Sequence, residues 1–232
     1  MKLDVVIPTY RRAEKLKRCI ESVQIAKRHL FGVRVDIHVY FSSVSELEVF
    51  QATPLGKTCY YHLLEKEFKP PVFWNDRLRY MTADALCYLT DDVVLDPMCL
   101  VKAWNELLRL RLDGVVGFEI SNATDGQPAK AAFSMIGRHY RNRFPEAKVF
   151  CPEYWCFYLD TELEMYASSI NKFIFCKDTK LSHAHPVFLK AEPDECHKHH
   201  RRNSDKDVAM WAIRRAEKLL WGKSFELIGE DT

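Results

Sequence analysis

The chain has 232 residues, of which 47% are hydrophobic, and this length and composition allow one domain with a substantial buried core. Its 34 lysine and arginine residues nearly balance 32 aspartate and glutamate residues, giving a formal net charge of +2. This balance excludes a surface that attracts polyanions over its whole extent, so a nucleic-acid contact would need a local patch. The first residues lack the apolar core of a signal peptide and no apolar run is long enough to span a bilayer, which predicts a cytoplasmic protein without a membrane span.

The first half of the chain alternates short apolar strands with amphipathic helices. Strands are predicted at residues 3–8, 33–40, 59–64 and 86–89, and helices at residues 11–27, 46–51 and 75–83. This alternation predicts an α/β fold with a mostly parallel central sheet flanked by helices, whose ligands bind beyond the carboxyl ends of the strands.

The second half is less regular. It predicts a strand at 113–118, a loop at 121–128, a helix at 153–167, short strands at 172–176 and 180–183, and a last amphipathic helix at 204–220.

Two adjacent carboxylates, Asp91 and Asp92, follow the fourth predicted strand directly. A turn at this place can aim one carboxylate at a ribose and the next at a hard divalent cation such as Mg²⁺ or Mn²⁺. The cation would neutralise a leaving diphosphate. Taken alone, the pair also fits an ordinary turn cap.

Three features in register resemble family 2 glycosyltransferases. The first strand runs into Pro8–Arg12, which matches the Pro-x-Tyr and the Arg-bearing helix that open members of this family. Asn75 lies fifteen residues before Thr90, as an Asn precedes the acidic triplet of the family. The triplet itself is Thr90-Asp91-Asp92 here, in place of Asp-Asp-Asp or Asp-x-Asp.

This resemblance implies a single GT-A domain, with a Rossmann-like fold, over residues 1–232. Residues 1–100 would form the nucleotide-sugar half, and 101–232 the acceptor half with the C-terminal helix. The implied reaction is metal-dependent transfer, with inversion, of a sugar from a nucleotide-sugar, usually a UDP-sugar, to a hydroxyl. Asp92 would bind the Mn²⁺ or Mg²⁺. The residues implied to bind the nucleotide-sugar are Pro8, Thr9, Tyr10, Arg12, Ser42, Asn75 and Asp91.

One expected residue is missing from the donor half. The resemblance implies an acid after the second strand to grip the nucleotide base, and residues 40–45 contain none. Ser42 or Ser43 can take its place through a hydroxyl, or Glu46 can reach in. The nucleotide base therefore stays open.

The resemblance places the catalytic base at Asp160, because the segment 159–163 is nearest to the family's Glu-Asp-x-Asp-Leu. An inverting displacement needs one base near the acceptor hydroxyl. Glu153 and Glu162 are the alternative catalytic bases. The non-catalytic alternative is that Asp160 is an ordinary exposed carboxylate of a helix.

Two histidines, His183 and His185, end the last predicted strand before Pro186. We expect only one of them to face the site. The resemblance favours His185 as a contact of the metal or the diphosphate, with His183 as the alternative.

Two basic segments stand apart from these motifs. The segment 138–144 interleaves cations with aromatic side chains, as a groove for nucleic acid requires. The segment 196–202 contains zinc-ligand types but lacks a second ligand pair at the usual spacing, which favours a solvated basic loop. Acceptor contacts are assigned to Arg138, Arg141, Arg143, Lys198 and Arg201.

The tail, residues 193–215, is similar to short GT-A proteins encoded by bacteriophages, some of which glycosylate hydroxymethylated pyrimidines in viral DNA. This similarity implies a hydroxymethylated DNA base as the acceptor and the host cytoplasm as the location. The alternatives are a glycan, lipid-linked sugar or protein acceptor, and a non-catalytic nucleotide- or DNA-binding module.

Overall fold

The computed structural model describes residues 1–64, 67–123, 130–186 and 192–223. Its strands are β1 (Lys2–Thr9), β2 (Arg34–Phe41), β3 (Tyr60–Leu63), β4 (Ala85–Tyr88), β5 (Val93–Leu95), β6 (Val115–Ile120), β7 (Ser134–Gly137) and β8 (Phe173–His183). They form one sheet in the order β3-β2-β1-β4-β7-β6-β8-β5.

Helices cover both faces of this sheet. They are α1 (Ala13–Ala26), α2 (Val44–Gln51), α3 (Pro70–Tyr80), α4 (Cys99–Arg109), α5 (Arg138–Arg141), α6 (Leu159–Ser169), α7 (Glu195–Arg201) and α8 (Ser204–Ala216). Side chains of α1 and α4 pack into one apolar cluster, and those of α3 and α6 pack into a second. The predicted α/β fold with flanking helices is confirmed.

The direction of the strands places the site. Strand β1 pairs in parallel with β2 and β4, β2 with β3, and β6 with β8, whereas β7 and β5 run antiparallel to their partners. Val5, Val6 and Ile7 of β1 are fully buried, as expected for a central strand covered on both faces. The carboxyl ends of β1, β4 and β8 consequently lie at the same edge of the sheet.

Several elements differ from the sequence prediction. Strands β5 and β7 and helix α4 were not predicted, and the two short strands predicted near the end are one strand, β8, with a register shift against β6. Helix α6 begins at Leu159, six residues later than expected, because Tyr158 adopts a positive φ of 67°. Most of the predicted loop, residues 124–128, lies outside the described residues. No helix in the described ranges is both long and apolar enough to cross a membrane.

Candidate active site

Asp91 ties the loop after β1 to the loop after β4. Its Oδ2 accepts a hydrogen bond from Thr9 Oγ1 at 2.8 Å and from the backbone N–H of Tyr10 at 3.4 Å. Burial raises the pKa of Asp91 to about 6, against the opposing effect of Arg12.

Arg12 contacts three carboxylates of the charged site. Its Nη1 lies 3.0 Å from Asp91 Oδ1 and 3.0 Å from Asp92 Oδ2, and its Nε and Nη2 donate to Asp194 at 2.9 and 2.8 Å. Lys15 Nζ also contacts Asp194, at 2.7 Å. Although burial disfavours the charge of Arg12, Asp91 and Asp92 raise its pKa, so it stays charged. Three carboxylates therefore share two cations, and one of the three comes from the residue that caps α7.

Each carboxylate oxygen of Asp92 lies near an imidazole nitrogen. His183 Nε2 lies 3.2 Å from Asp92 Oδ1, which also accepts from Thr90 Oγ1 at 2.7 Å, and His197 Nε2 lies 3.6 Å from Oδ2. Burial opposes the ionisation of Asp92, but the hydrogen bonds of His183 and His197 hold its pKa well below the usual range. Carboxylate oxygen and imidazole nitrogen are donors that a divalent metal such as Mn²⁺ accepts. Among the described residues, however, only Asp4, Asp36 and His38 bring three such ligand atoms within 4.8 Å of one another.

His185 belongs to the same group. Its ring centroid lies 4.7 Å from that of His197 and 5.3 Å from that of His183, and all three rings line one cavity. The expectation that only one of His183 and His185 faces the site is therefore wrong: β8 ends at His183, and the chain beyond it brings His185 to the same cavity. Burial and the neighbouring histidines lower the pKa of His185 to about 4.

A cavity of about 460 Å³ brings Asp160 together with Asp92. Asp160 lies in the first turn of α6, where its Oδ1 accepts the backbone N–H of Thr161 at 2.9 Å. Desolvation raises the pKa of Asp160 to about 6, and no cation of the described residues forms an ion pair with it. Such a carboxylate is ionised at neutral pH and keeps more basicity than an exposed one. The apolar part of the lining consists of Trp74, Ile120, Ala132, Phe133, Phe157, Leu159, Pro186 and Pro193.

The two alternatives to Asp160 have other partners. Glu162 is buried and accepts from Arg214 at 2.7 and 3.0 Å and from Tyr154 Oη at 2.7 Å. Glu153 accepts from Arg214 at 2.8 Å. Neither glutamate lines the cavity, so the geometry separates Asp160 from both.

A second cavity of about 720 Å³ lies between α1 and α2 and shares Arg12 with the first. Glu46 lines it, and its Oε1 accepts the backbone N–H of Arg11 at 2.6 Å. Glu46 Oε2 is buried and has no hydrogen-bond partner in the described part of the chain. Ser45 also lines this cavity, whereas Ser42 does not. Glu46 of α2 thus supplies an acidic side chain near the end of β2, where residues 40–45 contain none.

Three predicted donor residues support the walls of the site. Asn75 donates to the carbonyl of Phe150 at 2.7 Å and accepts its N–H at 3.0 Å, so its amide fastens the chain before α6 to α3. Tyr10 stacks on Phe68 with ring centroids 5.2 Å apart, and Pro8 is a buried residue of β1. Neither cavity is lined by any of the three, whereas Arg12 lines both and Thr9 lines the second.

The predicted acceptor arginines of segment 138–144 lie elsewhere. Arg138 pairs at 2.6 Å with Asp84, which precedes β4 and is therefore at the opposite end of that strand from Asp91. Arg143 pairs with Asp113 at 2.6 Å, and Arg141 donates to backbone carbonyls at the end of α3. These arginines hold the fold together away from the two cavities.

The segment 196–202, predicted as a solvated loop, is mostly the helix α7. The carboxylate of Asp194 caps it by accepting the backbone N–H of His197 at 3.1 Å. Of its two predicted acceptor residues, Arg201 lines the first cavity, and Lys198 pairs with Glu195 at 3.1 Å. The sequence missed Asp194 and His197, although Pro-Asp-Glu before this segment is a helix-start pattern that could have indicated them.

A second aspartate–histidine cluster lies on β1 and β2. Ligand atoms of Asp4, Asp36 and His38 lie within 4.8 Å of one another. Arg77 Nε donates to Asp4 at 2.9 Å, and Asp36 lies 3.1 Å from Lys2 Nζ and 3.0 Å from Arg34 Nε, so three cations already face the two carboxylates. None of the three residues lines either cavity.

The mostly parallel sheet flanked by helices, with an aspartate pair after β4, matches the fold of GT-A glycosyltransferases. The model of the family described as "Glycosyl transferase family 2" matches residues 4–164, and the chain belongs to this family. It is therefore a glycosyltransferase of the GT-A type. A comparison with curated protein sequences finds no match.

Solved structures of glycosyltransferases share the fold. TarS 1-349 of S. aureus is 13% identical, with a TM-score of 0.59 over 85% of this chain and 68% of that one. Its complex with UDP-GlcNAc is 12% identical, with a TM-score of 0.58 over 83% and 62%. The mannosyltransferase PcManGT from Pyrobaculum calidifontis, in complex with GDP-Man and Mn²⁺, is 12% identical, with a TM-score of 0.59 over 99% and 79%.

Proposed function

We propose that this chain is a metal-dependent, inverting glycosyltransferase that moves a sugar from a nucleotide-sugar to a hydroxyl group. The observation that carries the proposal is that Asp92 and Asp160 line one cavity from different elements of the fold. One carboxylate has imidazoles beside it, and the other has no cation in the described residues. These are the environments that a metal ligand and a general base need.

The donor base is proposed to occupy the second cavity, which Thr9 lines and which shares Arg12 with the first. Glu46 is the proposed base contact, because its free oxygen can accept the N3–H of uracil. Guanine also presents N–H donors, so GDP-sugars are the alternative to UDP-sugars.

Asp92, His183 and His185 are the proposed holders of Mn²⁺ or Mg²⁺. When bound, such a cation neutralises the charge that develops on the leaving diphosphate. Asp91 fixes the loops on either side through Thr9 and Arg12, so that Asp92 keeps its position.

Asp160 is the proposed general base. The acceptor oxygen forms a bond to the anomeric carbon while the bond from that carbon to the diphosphate oxygen breaks. Asp160 takes the proton of the hydroxyl, and attack on the face opposite the leaving group inverts the configuration. The apolar wall beside Asp160 excludes water that would otherwise compete as an acceptor.

The proposed acceptor is a hydroxymethylated pyrimidine base of DNA. The support is Phe157, an aromatic side chain of the wall that is 39% exposed and on which a flat base can stack. Arg201 at the same cavity offers a cation for a phosphate. The Arg138–Arg143 segment gives this acceptor no support, because its arginines are engaged elsewhere.

The experiment is a measurement of nucleotide release and of product mass with UDP- and GDP-sugars and Mn²⁺. Acceptors are DNA containing hydroxymethylcytosine or hydroxymethyluracil, unmodified DNA, and simple glycans. Transfer only to hydroxymethylated DNA supports the full proposal. Transfer to a glycan instead retains the reaction and replaces the acceptor. Metal-dependent nucleotide binding without transfer to any acceptor would favour a non-catalytic binding module.

A further inference from the structure

The helix α8 lies beyond residue 164, where the match to the family ends, yet it reaches back to the active site. Asp207 in its first half is only 1% exposed. Its carboxylate points at the loop that precedes α6, and α6 carries Asp160.

Three consecutive backbone amides of this loop converge on that carboxylate. Asp207 Oδ1 accepts the N–H of Trp155 at 2.5 Å, and Oδ2 accepts the N–H groups of Cys156 and Phe157, each at 2.8 Å. Backbone amides need acceptors, and these three lie outside any helix or strand. One anion thus fixes three successive peptide groups through charge-assisted hydrogen bonds.

The loop fixed in this way is part of the cavity wall. Cys156, Phe157, Leu159 and Asp160 all line the cavity that also contains Asp92. Between the fixed amides and Asp160 stands Tyr158, whose φ of 67° is unfavourable for a residue with a side chain. Surrounding contacts must hold such a turn, and Asp207 supplies three of them.

We propose that Asp207 is a positioning residue of the active site, which sets the place of Asp160 by holding the backbone of residues 155–157. This inference rests on the proposed role of Asp160 as general base. It extends the functional site to a helix outside the matched family domain.

A second attachment makes this role separable from folding. Arg214, two turns further along α8, donates to both oxygens of Glu162 on α6 at 2.7 and 3.0 Å. Because this buried pair keeps α8 docked on α6, loss of the Asp207 contacts loosens the loop without releasing the helix.

The test compares Asp207→Asn with Asp205→Asn, an exposed aspartate on the same helix. The amide keeps the shape but presents an N–H₂ group where one oxygen accepted. We expect kcat to fall by about ten- to a hundredfold, since a displacement near 1 Å at a reacting group has effects of this size. The KM for the donor should stay within about twofold, because Asp91 and Asp92 are held by β1 and β4. Asp205→Asn should match the wild type.

A readout that needs no turnover is the titration of the Asp160 carboxyl, followed by NMR. The titratable groups that face Asp160 are Glu164, Tyr88 and Cys156, and none of them is changed. In Asp207→Asn, water reaching Asp160 through the loosened loop should lower its pKa from the wild-type value towards that of an exposed aspartate. A purely structural role of Asp207 would lower the melting temperature and leave this pKa in place.

A folded Asp207→Asn variant with wild-type kcat and wild-type Asp160 titration would overturn the proposal. If Asp207→Asn fails to fold, Asp207→Glu, which keeps the charge but displaces it by one methylene, is judged by the same two criteria. If the wild type transfers sugar to no acceptor, the proposed function fails, and the NMR titration still decides the positioning role.

Discussion

Two buried clusters in this protein have the same composition, two aspartates and a histidine, and differ in their surroundings. The strand cluster is Asp4, Asp36 and His38, and the edge cluster is Asp91, Asp92 and His183. In the strand cluster, Arg77 pairs with Asp4, and Lys2 and Arg34 pair with Asp36, so three cations face two carboxylates. In the edge cluster, Arg12 serves both carboxylates and is also shared with Asp194.

Access to a cavity is the second difference. Asp92 and His183 line the cavity that contains Asp160, whereas no member of the strand cluster lines either described cavity. Composition alone therefore does not make a site. We expect a buried acidic pair to bind a ligand where its charge is incompletely balanced and where the ligand can approach it.

The strongest test of this comparison is Asp92→Ala. It should lower kcat/KM by about a thousandfold or more, because a metal contributes several kcal/mol to stabilising the leaving diphosphate and about 1.4 kcal/mol is tenfold in rate. Nucleotide binding measured by calorimetry should lose its dependence on Mn²⁺. The exposed Asp178→Ala serves as the control. Retained Mn²⁺ dependence in Asp92→Ala would move the metal away from the edge cluster.

The next effect is that of Asp160→Asn, which tests the carboxylate across the cavity. We expect kcat to fall by about 10²- to 10³-fold, the usual contribution of a general base. Nucleotide affinity should be unchanged, because no donor contact is assigned to Asp160. Glu153→Gln should keep kcat within about twofold of the wild type. If kcat falls more in Glu153→Gln than in Asp160→Asn, Glu153 is the general base and Asp160 is not.

The pH dependence follows from the same carboxylate. Burial raises the pKa of Asp160 to about 6, so the ionised, basic form predominates above pH 6 and is lost below it. With donor and metal saturating, kcat should fall by about tenfold per pH unit below 6 and be level above it. The residual activity of Asp160→Asn should not show this decline below pH 6; a decline that persists there belongs to Asp91, whose pKa burial also raises to about 6. A limb near pH 4 in the wild type would show a base exposed to water.

Glu46→Gln should have a smaller effect, confined to the donor. With one carboxylate oxygen replaced by an N–H₂ group, the side chain can accept from the Arg11 N–H or from the nucleotide base, but not from both. A hydrogen bond to a charged group contributes about 1.5–3 kcal/mol. We expect the KM of the donor to rise about tenfold with little change in kcat. Glu48→Gln, exposed on the same helix, is the matched control. Equal KM values in both variants would remove Glu46 from the base pocket.

Local sequence patterns predicted the elements around the edge cluster. The strand–helix alternation gave β1 to β4, and the register from Pro8 to Asp92 led to the family. These signals are local, because each depends on periodicity or on spacing within one segment. Strands β5 and β7 were not predicted, because segments of three or four residues carry too little periodicity.

Contacts between segments that are far apart in the chain could not be predicted from the sequence. Asp194 contacts Arg12 across 182 positions, and Asp207 contacts Trp155 across 52. Neither spacing leaves a pattern in one sequence, since only the folded sheet brings these residues together. For the same reason the cation-rich run of Arg138 to Arg143 resembled a binding groove, although its partners Asp84 and Asp113 lie in distant segments.

The smallest effect on activity is expected from Asp36→Asn in the strand cluster. Activity should change by less than about twofold, because Asp36 contacts only Lys2 and Arg34 among the described cations and faces no described cavity. The free energy of unfolding should fall by about 1–3 kcal/mol, as for a hydrogen-bonded charge at a largely buried site. Chemical denaturation of both proteins, with and without Mn²⁺, measures this. If Mn²⁺ stabilises the wild type but not Asp36→Asn, the strand cluster holds the metal, and its balance by Arg77 and Lys2 does not prevent binding.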